Sequence, residues 1–362
     1  MLPIVQFPGL VERYAPYFVE VFSAEALIEF KRYLSGLIVS ENKTVDGINR
    51  LCVMENRNQS SLNRLLTASP MSLDQVNRAR LQVLQDIPET RLKPKGVLSL
   101  DNTLLMHYGR QFEEIAKLYD PVSGTYVWAH DLVTLHYSDD QTDYPLLFEL
   151  WKPMNVERLE AQVRAAGIKM QTSKEKLKDS DPLKWRSYLK SLWQRRHAQW
   201  PELEQAYASK LIIARRLVQA WASEQPDLKL PVTFDSWFTQ PELCHYLDQT
   251  LKLAYVGTRN ASDKIKLKTG EQTLDKFAEQ LKQDQRRGKQ VFRRITISYK
   301  GDKEVYYSYC NTHRFPGFGK QRLVINYRQA DLSDLPVFYI SNRLTWQAPG
   351  ITRLRRPRPA AG

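Results

Sequence analysis

A chain of 362 residues, 42% hydrophobic and 26% charged, is long enough for two or three domains and too apolar for wholesale disorder. No run approaches ~18 uninterrupted apolar residues, which excludes a membrane-spanning helix, and no basic-then-apolar leader opens the chain, which argues against secretion. Charge is more telling: 53 Lys and Arg against 40 Asp and Glu leave a formal +13 and a pI of about 9.5, a balance that favours a polyanionic partner such as nucleic acid.

Residues 1 to 90 predict a helical domain. Leu27, Phe30, Leu34 and Leu37 fall on one helical face behind Ser23, a suitable N-cap. Further helices are expected from Thr44, from Ser60 (carrying Leu62, Leu65 and Leu66) and from Ser72, where Ser72 and Gln75 form a capping-box pattern. Arg78 and Arg80 lie off the apolar face of that last helix and are candidates for phosphate contacts in a DNA-binding bundle; a plain helical cap with solvated arginines fits the pattern equally.

After Pro88 and Pro94 the pattern changes. Val97 to Asp101 is a short apolar run ending in an acid, and Tyr126 to Tyr137 is rich in β-branched and aromatic residues, as one long strand or two short ones would be. A helical region follows from Val156 to Ser223. Leu230 to Asp235 is a second strand ending in an acid; Thr239 and Glu242 suggest a capping box, with Leu243, Leu247 and Leu251 striping the helix behind it. Ala254 to Arg259 is the next strand, and a helix is expected between Glu271 and Asp284. The runs Val291–Tyr299, Val305–Tyr309, Arg322–Tyr327 and Val337–Ile340 then make a mostly β segment, with Gly317 to Lys320 as a hairpin turn with a basic tip. The alternation predicts an α/β architecture, a mixed sheet flanked by helices.

The common catalytic motifs are missing: no P-loop, H-E-x-x-H, G-x-S-x-G or Rossmann fingerprint occurs. Cys52, Cys244 and Cys310 are isolated, which argues against disulfides or cysteine zinc sites and fits a reducing cytosol. His130 and His136 share a strand face but lack a third ligand at zinc spacing, and Asp139, Asp140 and Asp143 crowd what reads as a hairpin turn. Asp101 and Asp235, at strand ends, are the remaining chemistry. Carboxylates there can hold two Mg²⁺ ions about 3.5–4 Å apart, one activating an attacking hydroxyl and one stabilising the leaving oxygen of a phosphodiester. Asp is also a common N-cap, so strand-end acids alone are a weak signal.

Three segments, GVLSLDNTLLMHYGRQFEEIAKLYDPVSGTYVWAHDLVTLHYSDDQTDYPLLFELWKP, LPVTFDSWFTQPELCHYL and VFYISNRLTWQAPGITRL, resemble the DDE transposases of bacterial insertion sequences, over nearly the whole chain. The resemblance implies an RNase H-like mixed sheet with flanking helices over residues 91–260, a β-rich insertion over 261–341, and a helical DNA-binding domain before them. It implies Mg²⁺ (or Mn²⁺) chemistry that cleaves and joins double-stranded DNA at terminal inverted repeats, by a protein that is dimeric on DNA ends and nucleoid-associated in the cytoplasm. It places the first acid at Asp101-Asn102-Thr103, with Asp101 or the neutral Asn102 as ligand, and the second at Asp235.

The family's third acid is a Glu on a late helix behind a Tyr-x-x-Arg pattern. Here TRLRRPRPAAG follows Ile351, so residues 342–362 read as an aberrant basic tail and the chain as a truncated or frameshifted product with impaired catalysis. Two alternatives follow: a substitute third acid at Glu271 or Glu279, or an inactive DNA-binding remnant that interferes with an intact enzyme. The resemblance also points to Phe338, Tyr339 and Trp346 as stacking partners for a flipped base, against ordinary packing. Arg286, Arg287, Lys289, Arg293 and Arg294, joined by His313, Arg314, Lys320 and Arg322, form a basic cluster suited to phosphates.

Overall fold

The computed structural model describes residues 3–53, 58–109, 111–299 and 301–355. The chain divides into two units, Met1–Leu92 and Lys93–Gly362.

The first unit is helical: Gly9–Tyr14, Ala24–Val39, Val45–Leu51, Gln59–Thr67 and Leu73–Asp86. Short polar residues start the helices because a side-chain oxygen can take an otherwise orphaned N–H. Ser23, Thr44 and Ser72 cap as their positions predict, while helix Gln59–Thr67 is capped by Asn58 rather than begun by Ser60. Phe18, Phe22, Leu65 and Ala79 form a core, with Phe30 packed against Phe18 and Phe22. Arg32 is wholly buried: it donates to Glu29 at 2.7 Å, Asn49 at 3.0 Å and Ser61 at 3.1 Å.

In the second unit the described strands join one sheet: β1 (Val97–Met106), β2 (Ala116–Asp120), β3 (Thr125–Ser138), β4 (Asp143–Trp151), β5 (Val232–Phe234), β6 (Tyr255–Arg259), β7 (Lys264–Leu267), β8 (Gly270–Thr273), β9 (Arg293–Tyr299), β10 (Asp302–Phe315), β11 (Gly319–Tyr327) and β12 (Val337–Ser341). β3 pairs antiparallel with β1 on one side and with β2 and β4 on the other. β1, β5 and β6 run parallel. The order β4-β3-β1-β5-β6, with only β3 antiparallel to the central strands, is RNase H-like.

The β-rich stretch extends this same sheet. β12 pairs with β6, and β11, β10, β7 and β8 extend the same sheet outward. The expected helix at Glu271 begins later, at Leu274–Arg286, because Gly270–Thr273 pairs with β7 first. Gly317 and Gly319, both at positive φ, make the tight β10–β11 turn.

Helix Lys210–Glu224 packs on β3 and β4, and its buried residues include Ile213, Leu217 and Trp221. Helices Val156–Ala165 and Pro182–Arg196 build a cluster around Leu159, Trp185, Leu189 and Trp193. The segment read from sequence as a tail begins differently: Ala348–Leu354 is a helix, with Pro349 tolerated in its first turn and Ala348 and Ile351 packed on Val256, Val324 and Tyr339. Residues 356–362 lie outside the described residues.

Candidate active site

The site follows from strand periodicity. Side chains alternate across a sheet, so neighbours in sequence face opposite ways. Ser99 and Leu100 on β1 pair in parallel register with Thr233 and Phe234 on β5. The Ser99 and Thr233 hydroxyls meet at 2.8 Å, which fixes one face. Two residues further on, that face carries Asp101 and Asp235, close enough for the two charges to repel. Asp101 lies within β1 and not at its end as expected, because pairing with β3 carries the strand on to Met106; Asp235 is just past β5.

The residue beside Asp101 points away. Asn102 donates its amide to the buried Asp131 at 2.9 Å on the other face, so Asp101, and not Asn102, faces Asp235. Each acid has one oxygen engaged: Asp101 Oδ1 accepts from the Asn102 N–H at 2.8 Å and Asp235 Oδ1 from the Phe238 N–H at 3.0 Å. Among the described residues, the second oxygen of either accepts no hydrogen bond.

Although Asp101 keeps an exposed edge, dehydration of its carboxyl raises its pKa. The Asn102 N–H opposes that rise, and repulsion from Asp235 reinforces it. Arg355, just past the Ala348–Leu354 helix, is the cation that offsets both acids: dehydration lowers its own pKa, and Tyr339, Asp235 and Asp101 counteract this. Its Nε is sheltered with no hydrogen-bond partner among the described residues. Two hard carboxylates with free oxygens fit a divalent cation.

Among the described residues no group of three His, Cys, Asp or Glu is placed to hold a metal. Glu279 pairs with Lys282 at 2.7 Å, and Glu271 is on β8 opposite Lys266, so neither substitute acid joins the pair. The expected capping box behind Asp235 does not form. Thr239 instead donates its hydroxyl to the Asp235 carbonyl at 2.5 Å, and Gln240 takes the N-cap position without a side-chain bond.

The other candidates are placed as follows. His130 meets His107 at 2.8 Å, and His136 meets Asp143 at 3.4 Å. Asp139 accepts from the Gln141 and Thr142 N–H groups, as a hairpin acid does, and Asp140 pairs with Arg353 at 2.6 Å. Phe338 and Tyr339 are core residues and Trp346 packs half-buried against the same cluster, so packing, not base stacking, accounts for them.

Of the basic candidates, Arg78 is exposed, while Arg80 is held by Asn77 at 2.8 Å. Arg286, Arg287, Lys289, Arg293 and Arg294 are exposed, with Lys289 paired to Asp284 at 2.9 Å. Arg314 is directly opposite Lys320 on one side and Lys266 on the other, and all three are exposed. Followed through the register, this row shares the sheet face of Asp101 and Asp235. Lys266 was missed from sequence, although alternation in KIKLK carries the signal; nothing in sequence flags Arg355.

The RNase H-like sheet thus brings two acids to matched positions on neighbouring parallel strands. The chain belongs to the DDE superfamily endonucleases, whose family matches residues 17–294. Among solved structures, it is similar to a piggyBac transposase in a cryo-EM synaptic complex with hairpin DNA, at 12% identity and a TM-score of 0.38. That match covers 92% of this chain and 52% of the other, so the chain spans about half that transposase's length. No curated protein matches the chain. Among the described residues, no helix is long and apolar enough to cross a membrane.

Proposed function

We propose that the protein is an insertion-sequence transposase whose Asp101 and Asp235 bind Mg²⁺ or Mn²⁺ for DNA cleavage and strand transfer at element ends. The observation that carries this is the pair itself: two carboxylates, side by side on one face, each with a free oxygen. A bound ion would polarise the phosphodiester and lower the pKa of the attacking hydroxyl. The chain's own part is to aim the acids and hold the DNA backbone.

The Lys266–Arg314–Lys320 row supports DNA as the substrate. Like charges directly opposite across strands destabilise a sheet; Glu271, opposite Lys266, offsets one of the three cations, and a polyanion relieves the remaining repulsion. Arg78, Arg286, Arg287, Lys289, Arg293 and Arg294 add exposed cations for phosphates. Joining two ends at once calls for a dimer on DNA.

Binding without efficient cutting is favoured by one observation: Arg355 brings a positive charge into electrostatic interaction with both acids, with no ion pair to either among the described residues. One experiment separates the two. Purified protein is incubated with supercoiled plasmid carrying the element's terminal sequences, with Mg²⁺ or Mn²⁺. Metal-dependent nicking that disappears in Asp235→Ala supports the enzyme; retained DNA binding with no nicking supports the inactive form.

A further inference from the structure

Asp131 is 1% exposed on β3, on the sheet face opposite the catalytic pair. One oxygen accepts from Asn102, the residue that follows Asp101. The other forms an ion pair with Lys210 Nζ. Lys210 also lies over the ring of Trp237, at 5.1 Å from its centroid. Trp237 belongs to the turn that leaves Asp235, in which Phe238 N–H and the Thr239 hydroxyl both return to Asp235.

Lys210 occupies an awkward position. It is the first residue of helix Lys210–Glu224, where the helix dipole disfavours a cation. Burying Asp131 is also costly unless the charge is paired and hydrogen-bonded. Each residue is unfavourable alone, and together they link β1, through Asn102, to the turn after Asp235, through Trp237.

We propose that Asp131 and Lys210 are positioning residues that clamp the two acid-bearing segments in register. Through Asn102 the clamp fixes which way β1 presents Asp101. Through Trp237 it restrains the turn that holds Asp235. It touches neither metal nor DNA, and it rests on the metal-binding role proposed for the acid pair.

The test is Mn²⁺ titration of the full chain, followed by electron paramagnetic resonance of the free ion, with melting temperature measured in parallel. Asp131→Asn/Lys210→Met removes both charges together, so no buried charge is stranded and the melting temperature should stay near that of the wild type. Mn²⁺ affinity should nevertheless fall roughly tenfold, as when the groups that orient metal ligands from behind are removed. Trp237→Leu, at an exposed position, should weaken Mn²⁺ by a smaller factor without altering the melt. Lys210→Arg, which keeps charge and ring contact, should restore most of the affinity.

Full Mn²⁺ affinity in a folded double variant overturns the clamp while leaving the metal site intact. If the double variant does not fold, Trp237→Leu and Lys210→Arg decide: wild-type affinity in the former, or a roughly tenfold loss in the latter, overturns it. Wild-type protein with no Asp235-dependent Mn²⁺ binding overturns the metal site and the clamp with it.

Discussion

Gly257→Ala should damage the site by crowding, without touching either acid. Gly257 is on β6 beside Phe234, the residue before Asp235. A Cβ there would lie 2.5 Å from Thr239 Oγ1, 2.7 Å from Thr239 Cγ2 and 2.9 Å from Phe234 Cε2. Both neighbours are fully buried, and the Thr239 hydroxyl is the one held by the Asp235 carbonyl. Neither can yield without moving the chain around Asp235. Overpacking of this kind costs about 1–3 kcal/mol. For a unit of this size, that is a fall of about 2–12 °C in melting temperature.

The eight tryptophans all follow residue 92, so their fluorescence reports the second unit alone. Mn²⁺ affinity should fall with the melt, because the displaced residues anchor Asp235. Gly350→Ala is the matched control: nothing lies within 4 Å of its added Cβ, and Ala in a helix should be neutral or stabilising by about 0.5–1 kcal/mol. A Gly257→Ala protein that melts and binds Mn²⁺ like the wild type would show that the close approach at Gly257 does not hold Asp235.

Glu29→Leu should strand the buried Arg32 charge and cost the helical unit about 3–5 kcal/mol. Part of the helical circular dichroism, that of the first unit, should then be lost before tryptophan fluorescence changes, and coincident transitions at the wild-type midpoint would contradict this. Asp101→Asn should raise the melting temperature at pH 7. The folded-state pKa of Asp101 is raised, so its charge destabilises the fold above that pKa, and the penalty is relieved as pH falls through it towards the ordinary carboxylate value. The advantage of the variant should shrink on acidification, and a difference that stays flat between pH 7 and pH 4 would refute the sign. DNA binding should weaken linearly in log K against log salt, and Lys266→Ala/Arg314→Ala/Lys320→Ala should flatten the slope by roughly 0.9 for each phosphate that the variant no longer neutralises. An unchanged slope in binding titrations would remove the row from the DNA surface.

Local chemistry made much of this legible in the residues. Ser23, Thr44 and Ser72 announce helix starts because their side chains satisfy backbone N–H groups wherever the helix ends up. The apolar runs at Val97 and Leu230 announce buried strands, and the acids ending them marked Asp101 and Asp235 as candidates. What depends on partners distant in sequence was not legible. Thr239 has a good capping position, yet its hydroxyl goes to Asp235 because the turn brings that carbonyl closer. Glu271 fits a helix by sequence, but pairing with β7 draws it into a strand.

The sequence by itself determined the basic balance, the positions of the two acids and the alternation that sends Asp101 and Asn102 to opposite faces, since these depend on residue type and a two-residue period. Only the tertiary structure decided that β1 and β5 are neighbours in register, that the charge of Arg355 acts on the acid pair, and that Lys266, Arg314 and Lys320 share the face of that pair. Strand pairing is set by packing between segments far apart in the chain, and no local pattern encodes which strand will lie beside which.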